Sequence, residues 1–303
     1  MKKYNKVIIL MGGVSNEYEI SILTGNEVAK ALSNKNIILK KVIVKNNLKQ
    51  IINEIETFNP DCIFNAMHGK FGEDGQIQAI LNSLKIPYTH SGVLASSVAM
   101  DKKISKLIFE KIGIKCPKGI IINSKNSRIN IKYPFILKPV DGGSSISVYK
   151  IDNNRQKSIV FDEYFRTYKF GLIEEYIDGR DFTVGVFNNK VCGLTEIVSD
   201  SNFYDYKNKY LKVAKHILNP KLPNKIKEKL FSYAMLAHDI LNCNFISRSD
   251  FRYNQKSGDI YFLEINTQPG LTQKSLIPEM ISEIGISFPT MCEQILKNSK
   301  CEK

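Results

Sequence analysis

The stretch FLEINTQPG, residues 262–270, decides how the rest of the chain is read. Glu264 and Asn266 stand two positions apart in a strand-like run that breaks at Pro269-Gly270. Residues i and i+2 of a strand share a face, so these two oxygen-bearing side chains point together while Leu263 and Ile265 point the other way, into apolar packing. The preceding SRSDFRYN reads as a partner strand, joined through the polar turn Gln255-Lys256-Ser257-Gly258. A hairpin symmetric about Ser257 sets Asp250 opposite Glu264 and Arg248 opposite Asn266, four polar groups on one face. Carboxylates facing each other across a strand pair repel unless a cation lies between them, and hard oxygen ligands of this kind suit Mg²⁺, which takes substrate phosphates and water as its other ligands. A solvated hairpin with scattered charge has the same pattern.

The 303 residues suffice for two or three domains, and 43% hydrophobic with 24% charged residues is ordinary for a soluble globular protein. The early apolar run, residues 7–11, is too short for a signal-peptide core, and no run approaches a membrane span. Cys62, Cys116, Cys192, Cys243, Cys292 and Cys301 are dispersed, with no zinc or redox spacing, so a reduced, cytoplasmic protein is expected. The formal charge of +13 is spread along a chain rich in Lys and Asn, without a dense basic block or interleaved aromatics. That argues against nucleic acid as a partner, as the hydropathy does against a membrane.

Outward from the hairpin, KVIILMGGVSNEYEISILTGNEVAKALSN reads as a buried strand, a glycine turn and an amphipathic helix with Ile20, Leu23, Val28 and Leu32 on one face. KKVIV and DCIFNAMHG add strands and GQIQAILNSLK a helix, the alternation of an α/β unit with a parallel sheet. Gly12-Gly13 and Gly69 fall at strand ends, where open α/β sheets bind ligands. MDKKISKLIFEKIGI reads as a helix and KGIIIN as a strand. In YPFILKPVDGGSSISVYKI two strands flank a small loop at residues 141–145, which fits either a hairpin turn or a phosphate-holding loop backed by Lys138. The pair Glu174-Glu175 is either solvent-facing or placed to read an adenine amino group and a ribose. SDSNFYDYKNKYLKVAKHILNP, polar and rich in Tyr and Lys, is a lid or a decorated loop.

Taken in order, GGVSNEYEIS, HGKFGEDGQIQ, MDKKISK, LKPVDGGSS, FYDYKNKY and EINTQPGLT resemble the D-alanine:D-alanine ligases of the ATP-grasp superfamily from about residue 7 to about residue 290. The resemblance implies an α/β (α+β) ATP-grasp fold of three domains. These are an N-terminal parallel α/β substrate domain at 1–92, a central subdomain with the phosphate loop at 93–178, and a C-terminal domain at 179–303. The last carries a lid at about 199–220 and the metal-binding hairpin, with ATP held between the central and C-terminal domains. It implies an enzyme that phosphorylates the carboxylate of one D-alanine with ATP and lets the amine of a second displace phosphate, giving D-alanyl-D-alanine for peptidoglycan. It also implies a homodimer.

Carried over by residue, Lys102 and Lys138 hold ATP phosphates, with Ser144 and Ser145 in the loop, Glu174 and Asp181 near adenine and ribose, and Glu175, Ile177, Lys209 and Glu264 as further nucleotide contacts. Asp250, Glu264 and Asn266 match ligands of two Mg²⁺ (or Mn²⁺). Arg248 and the backbone of Gly270 match the groups facing the tetrahedral oxyanion, and Ser275 with Leu276 the cradle for the second carboxylate. Glu17 matches the acceptor of the first ammonium, linked through Ser144 to Tyr210 on the lid, with His68 beside the substrates. Cations and positioning suit a reaction in which a carboxylate must meet a triphosphate. Asp181 stands where the family usually has glutamate, and the segment after Tyr210 is less typical of the family's lid. Rivals are an ester-forming or mixed ligase of the same fold, against which Tyr210 argues, and a regulatory ATP-binding protein, which should lack Arg248 or a metal ligand.

Overall fold

Strand β1 (Lys6–Gly12) is buried from Val7 onward, as the central strand of a sheet covered on both faces must be. In the computed structural model, which describes residues 4–33, 35–143, 146–198 and 214–302, β1 lies between β2 (Ile38–Val44) and β3 (Cys62–Asn65), all parallel. Helices α1 (Tyr18–Leu32), α2 (Leu48–Phe58) and α3 (Gln76–Ser83) follow the three strands in turn. The inward face of α1 differs from the one expected: Val28 and Leu32 are buried beside Ser21, Thr24 and Gly25, whereas Leu23 is exposed. Polar anchoring is the reason. Ser21 Oγ accepts from the Gly12 amide and donates to the Ala66 carbonyl. A Cβ at Gly25 would lie 2.7 Å from Met11, so glycine lets the helix close onto β1.

Two antiparallel sheets follow. The smaller has the order β4 (Gly119–Ile122), β7 (Gly171–Glu175), β5 (Phe135–Lys138), β6 (Tyr149–Ile151), backed by α6 (Asn154–Thr167). The larger has the order β10 (Lys215–Leu218), β9 (Lys190–Val198), β8 (Arg180–Phe187), β11 (Ile246–Asn254), β12 (Asp259–Asn266). Helices α4 (Val93–Met100) and α5 (Lys102–Lys111) share a core with the larger sheet and α7 (Asn224–Ile240): Ala99 and Phe109 pack with Leu230, Phe251, Phe262 and Ile265. The Phe109 and Phe262 rings are 4.5 Å apart. Helix α5 starts at Asp101, whose side chain accepts from the Lys103 and Ile104 amides, and this cap sets Lys102 at the first helical position.

Helices α8 (Leu276–Glu283) and α9 (Phe288–Lys297) return to the N-terminal unit, where Ile277, Met291 and Ile295 join Val7, Ile9 and Val28 in one core. The segment expected as a lid lies largely outside the described residues, and its end is β10, paired with β9. Gly179 joins the two antiparallel sheets at φ 150°, where a side chain would strike the Tyr253 carbonyl. Among the described residues no helix is long and apolar enough to cross a membrane.

Candidate active site

The hairpin register places Asp250 opposite Glu264 and Arg248 opposite Asn266, as the alternation predicts. It does so through a bulge. Pairing nearer the turn runs Phe251 to Phe262 and Arg252 to Tyr261, one residue out of step, and Leu263 is the extra residue. Leu263 is therefore turned into the cleft beside Glu264 instead of into apolar packing, while Phe262 and Ile265 remain in the core.

On the exposed face of this hairpin the carboxylates are matched by cations. Arg248 donates to Asp250 from Nε at 3.0 Å and from Nη2 at 2.8 Å, and Thr183 Oγ1 donates to the same carboxylate at 2.6 Å. Lys102 Nζ lies 3.4 Å from Glu264 Oε2 and donates to the Gly142 carbonyl in the glycine loop. Asn266 Oδ1 accepts from the Gln268 amide at 2.8 Å and keeps a second lone pair. Asp250 and Glu264 retain 20% and 32% side-chain exposure. Among the described residues no group of three His, Cys, Asp or Glu converges. Two carboxylates and an amide oxygen open to a cleft nevertheless fit a hard divalent cation that draws its remaining ligands from phosphate and water.

The cleft runs between the two antiparallel sheets. Lys138 and Glu174 enter it from neighbouring strands of the smaller sheet, Asp181 and Arg252 from the larger. Glu174, 3% exposed, lies between two lysines: Lys106 hydrogen-bonds one oxygen, and Lys138 Nζ is 2.7 Å from the other. Burial opposes ionisation of Glu174, but the charges and hydrogen bonds of Lys106 and Lys138 prevail and hold its carboxyl below the usual range. Burial and the neighbouring Lys138 push Lys106 down to about 8, against the pull of Glu174. In Lys138 burial is overcome by the same carboxylate, and its ammonium is held above the ordinary value.

Asp181 accepts from Arg252 Nη1 at 2.7 Å through both oxygens, and Arg252 also donates to the Ile177 carbonyl and the Tyr176 hydroxyl. Ile177 lines the cleft. Glu175 lines it too, and its side chain accepts from the Lys118 amide at 2.9 Å.

A second cavity adjoins this cleft, walled by Glu17, His68, Glu73, Gly270, Ser275 and Leu276. Glu17, just before α1, is buried with its carboxylate against two glycines: a Cβ at Gly69 would lie 2.7 Å from Oε2 and one at Gly143 2.9 Å. The N-terminal unit and the glycine loop thus meet at one carboxylate. His68 Nε2 is 3.0 Å from Thr24 Oγ1, and Nδ1 is 3.9 Å from Glu73 Oε2, a buried oxygen that accepts no hydrogen bond among the described residues. Ser275 precedes α8, with Oγ 2.8 Å from Thr272 Oγ1 and close to Gly270. Arg248 borders the sheet cleft, this cavity and the narrow passage between them.

The structure thus brings together Glu17, His68, Lys102, Lys138, Glu174, Asp181, Arg248, Asp250, Glu264, Asn266, Gly270, Ser275 and Leu276 around two connected spaces. Ser144, Ser145, Lys209 and Tyr210 lie outside the described residues. Lys106, Arg252 and Glu73 were not singled out from the sequence. Two carried a readable signal: Arg252 continues the alternation of Arg248 and Asp250, and Lys106 follows Lys102 by one helical turn in MDKKISK.

This arrangement has relatives. The D-ala D-ala ligase C-terminus model matches residues 119–297 and the D-ala D-ala ligase N-terminus model residues 39–91. The D-alanine–D-alanine ligase of Pelagibacter ubique is 44% identical over 98% of this chain and 99% of its own. That of a Wolbachia strain from Drosophila simulans is 40% identical over 97% and 93%. Among solved structures, D-alanine–D-alanine ligase from Bacillus anthracis complexed with ATP superposes with a TM-score of 0.84 at 29% identity, covering 97% of both chains. Agreement in both halves of the sequence, over nearly the whole length and in the fold, leads to one conclusion: the chain belongs to the D-alanine–D-alanine ligase family.

Proposed function

We propose that this protein joins two molecules of D-alanine into D-alanyl-D-alanine at the expense of ATP, supplying a peptidoglycan precursor. The observation that carries the assignment of roles is the position of Arg248, a fixed cation bordering both spaces and the passage between them. ATP lies in the cleft between the antiparallel sheets, its phosphates toward Lys102, Lys138 and the glycine loop. Glu174 already accepts from two lysines and keeps lone pairs for the adenine amino group, with Asp181, held by Arg252, beside the ribose. Asp250, Glu264 and Asn266 would hold two Mg²⁺ (or Mn²⁺), which would neutralise phosphate charge, with Arg248 and Lys102 beside them facing the substrates.

Glu17 takes the ammonium of the first D-alanine, which directs its carboxylate toward the γ-phosphate; a carboxylate oxygen bonds to the γ-phosphorus, the bond to the β-phosphate oxygen breaks, and an acyl phosphate and ADP result. The second amine attacks the carbonyl carbon, the Arg248 guanidinium and the Gly270 amide receive the developing oxyanion, and phosphate leaves. We assign the charge of Glu17 and the cradle at Ser275 and Leu276 to orienting two zwitterions head to tail. A cytoplasmic homodimer is the form in which we expect it to act. Phosphate release from the purified protein is expected to require ATP, Mg²⁺ and D-alanine together, and equal turnover with L-alanine would overturn the assignment.

A further inference from the structure

One ionisable pair in the substrate cavity stands apart from these roles. His216, on β10 opposite Ile197 of β9, reaches the cavity wall beside Gly270, Lys274, Ser275 and Leu276. Its Nδ1 lies 2.6 Å from Oε2 of Glu279, in the first turn of α8. The side chains are 21% and 27% exposed, so the pair is shielded but within reach of a ligand. A carboxylate on Nδ1 fixes the orientation of an imidazole. Among the described residues Nε2 makes no hydrogen bond.

The carboxylates Glu17 and Glu73 line this cavity from the N-terminal unit, and Lys274 and His216, the latter paired with Glu279, line it from the side of α8 and β10. The α8 terminus, which no side chain caps, adds a positive dipole end to the second group. With Nδ1 turned to Glu279, Nε2 is the ring nitrogen left for a ligand in the cavity. A proton acceptor for the attacking amine would have to stand elsewhere, near Arg248 and the passage to the phosphates. We propose that His216, held in orientation by Glu279, recognises the α-carboxylate of the second D-alanine together with the amide of Leu276 at the start of α8. This inference rests on the ligase function proposed above.

The test is steady-state phosphate release at saturating ATP and Mg²⁺, with D-alanine varied widely enough to resolve the KM of each amino-acid site. His216→Ala is expected to raise the KM of the second site about ten-fold, the loss of one charge-assisted hydrogen bond. Turnover at saturating D-alanine should stay within about two-fold and the KM values for ATP and the first site should hold. His216→Gln, which retains an N–H donor and the strand, should recover part of the loss. Glu279→Ala should raise the same KM and add little on top of His216→Ala, because the two act through one contact. An unchanged second-site KM in His216→Ala and His216→Gln overturns the inference, as does a fall in turnover with that KM unchanged, which would mean that the ring moves a proton. Wild-type protein that releases no phosphate with D-alanine overturns the ligase function itself, and this inference with it.

Discussion

Two clusters of opposite charge meet in the cleft, and they are built differently. Around Glu174 the carboxylate and its lysines, Lys106 and Lys138, are sealed from solvent. On the hairpin face Asp250 and Glu264 keep contact with the cavity and are matched by Arg248 and Lys102. The first arrangement can be altered only at the cost of a desolvated charge left alone. In the second the carboxylates are partly exposed, which leaves them open to a ligand that brings charges of its own. Both clusters face the cleft, but the first is held by burial and the second has carboxylates open to a ligand, a difference that residue type alone does not show.

The comparison breaks most readily at Glu174. Glu174→Gln leaves two buried ammonium groups without an anion and is expected to lower the unfolding free energy by about 3–5 kcal/mol. Denaturant unfolding at neutral pH measures this, and a change below about 1 kcal/mol would mean that the cluster is not part of the scaffold. On the hairpin the pattern should invert. Asp250→Asn and Glu264→Gln are each expected to reduce turnover by about 10²- to 10³-fold or more. Their unfolding free energies should stay within about 1 kcal/mol of wild type, because neither side chain belongs to the core. Near-normal turnover at low Mg²⁺ in either variant would remove the metal role from that face.

A pH series sharpens the same contrast. Lys106 is held at about 8 in the folded protein against an ordinary 10.5. Between those values the unfolded chain binds the proton that the folded protein has released, so stability rises with pH across that window. The burial cost of this ammonium is present in full below about pH 8 and is relieved as pH approaches 10.5. Lys106→Met removes the titration. The advantage of wild type over Lys106→Met should therefore grow from pH 8 to 10, by on the order of 3 kcal/mol at most. A parallel pair of curves would show that Lys106 titrates normally.

Much of this was legible in the sequence, and the failures have physical causes. The parallel opening, the hairpin and its four polar residues follow from alternation and turn chemistry, which are local. The face of α1 was misread at Leu23 because Ser21 and Thr24, polar by type, are buried by contacts with Ala66 and His68, which are distant in sequence. MDKKISKLIFEKIGI reads as a helix, but chain order says nothing about which core Phe109 joins. The pairing of β10 with β9 spans residues 199–213, and a four-residue strand at the end of a polar stretch gives little signal. Lys106 needed the helix of α5 and the strand of β7 to be placed together before its charge had meaning.

The smallest effect tests the bulge itself. Strict alternation from Phe262 to Asn266 would place Leu263 and Ile265 on one face, and the extra residue at Leu263 divides them, one into the cleft and one into the core. The bulge also explains why the polar pairing is right although the turn is not centred on Ser257: the step at Leu263 restores the register that sets Glu264 across from Asp250. Truncation should therefore act differently at the two positions. Ile265→Ala is expected to cost about 2–4 kcal/mol in unfolding free energy, as buried aliphatic truncations do. Leu263→Ala should cost less than about 1 kcal/mol of stability. It should raise the KM for ATP only about two- to five-fold, through the apolar surface it withdraws from the cleft wall. Equal losses of stability in the two variants, with ATP binding unchanged in Leu263→Ala, would put Leu263 in the core and leave the facing of Asp250 and Glu264 without a bulge to account for it.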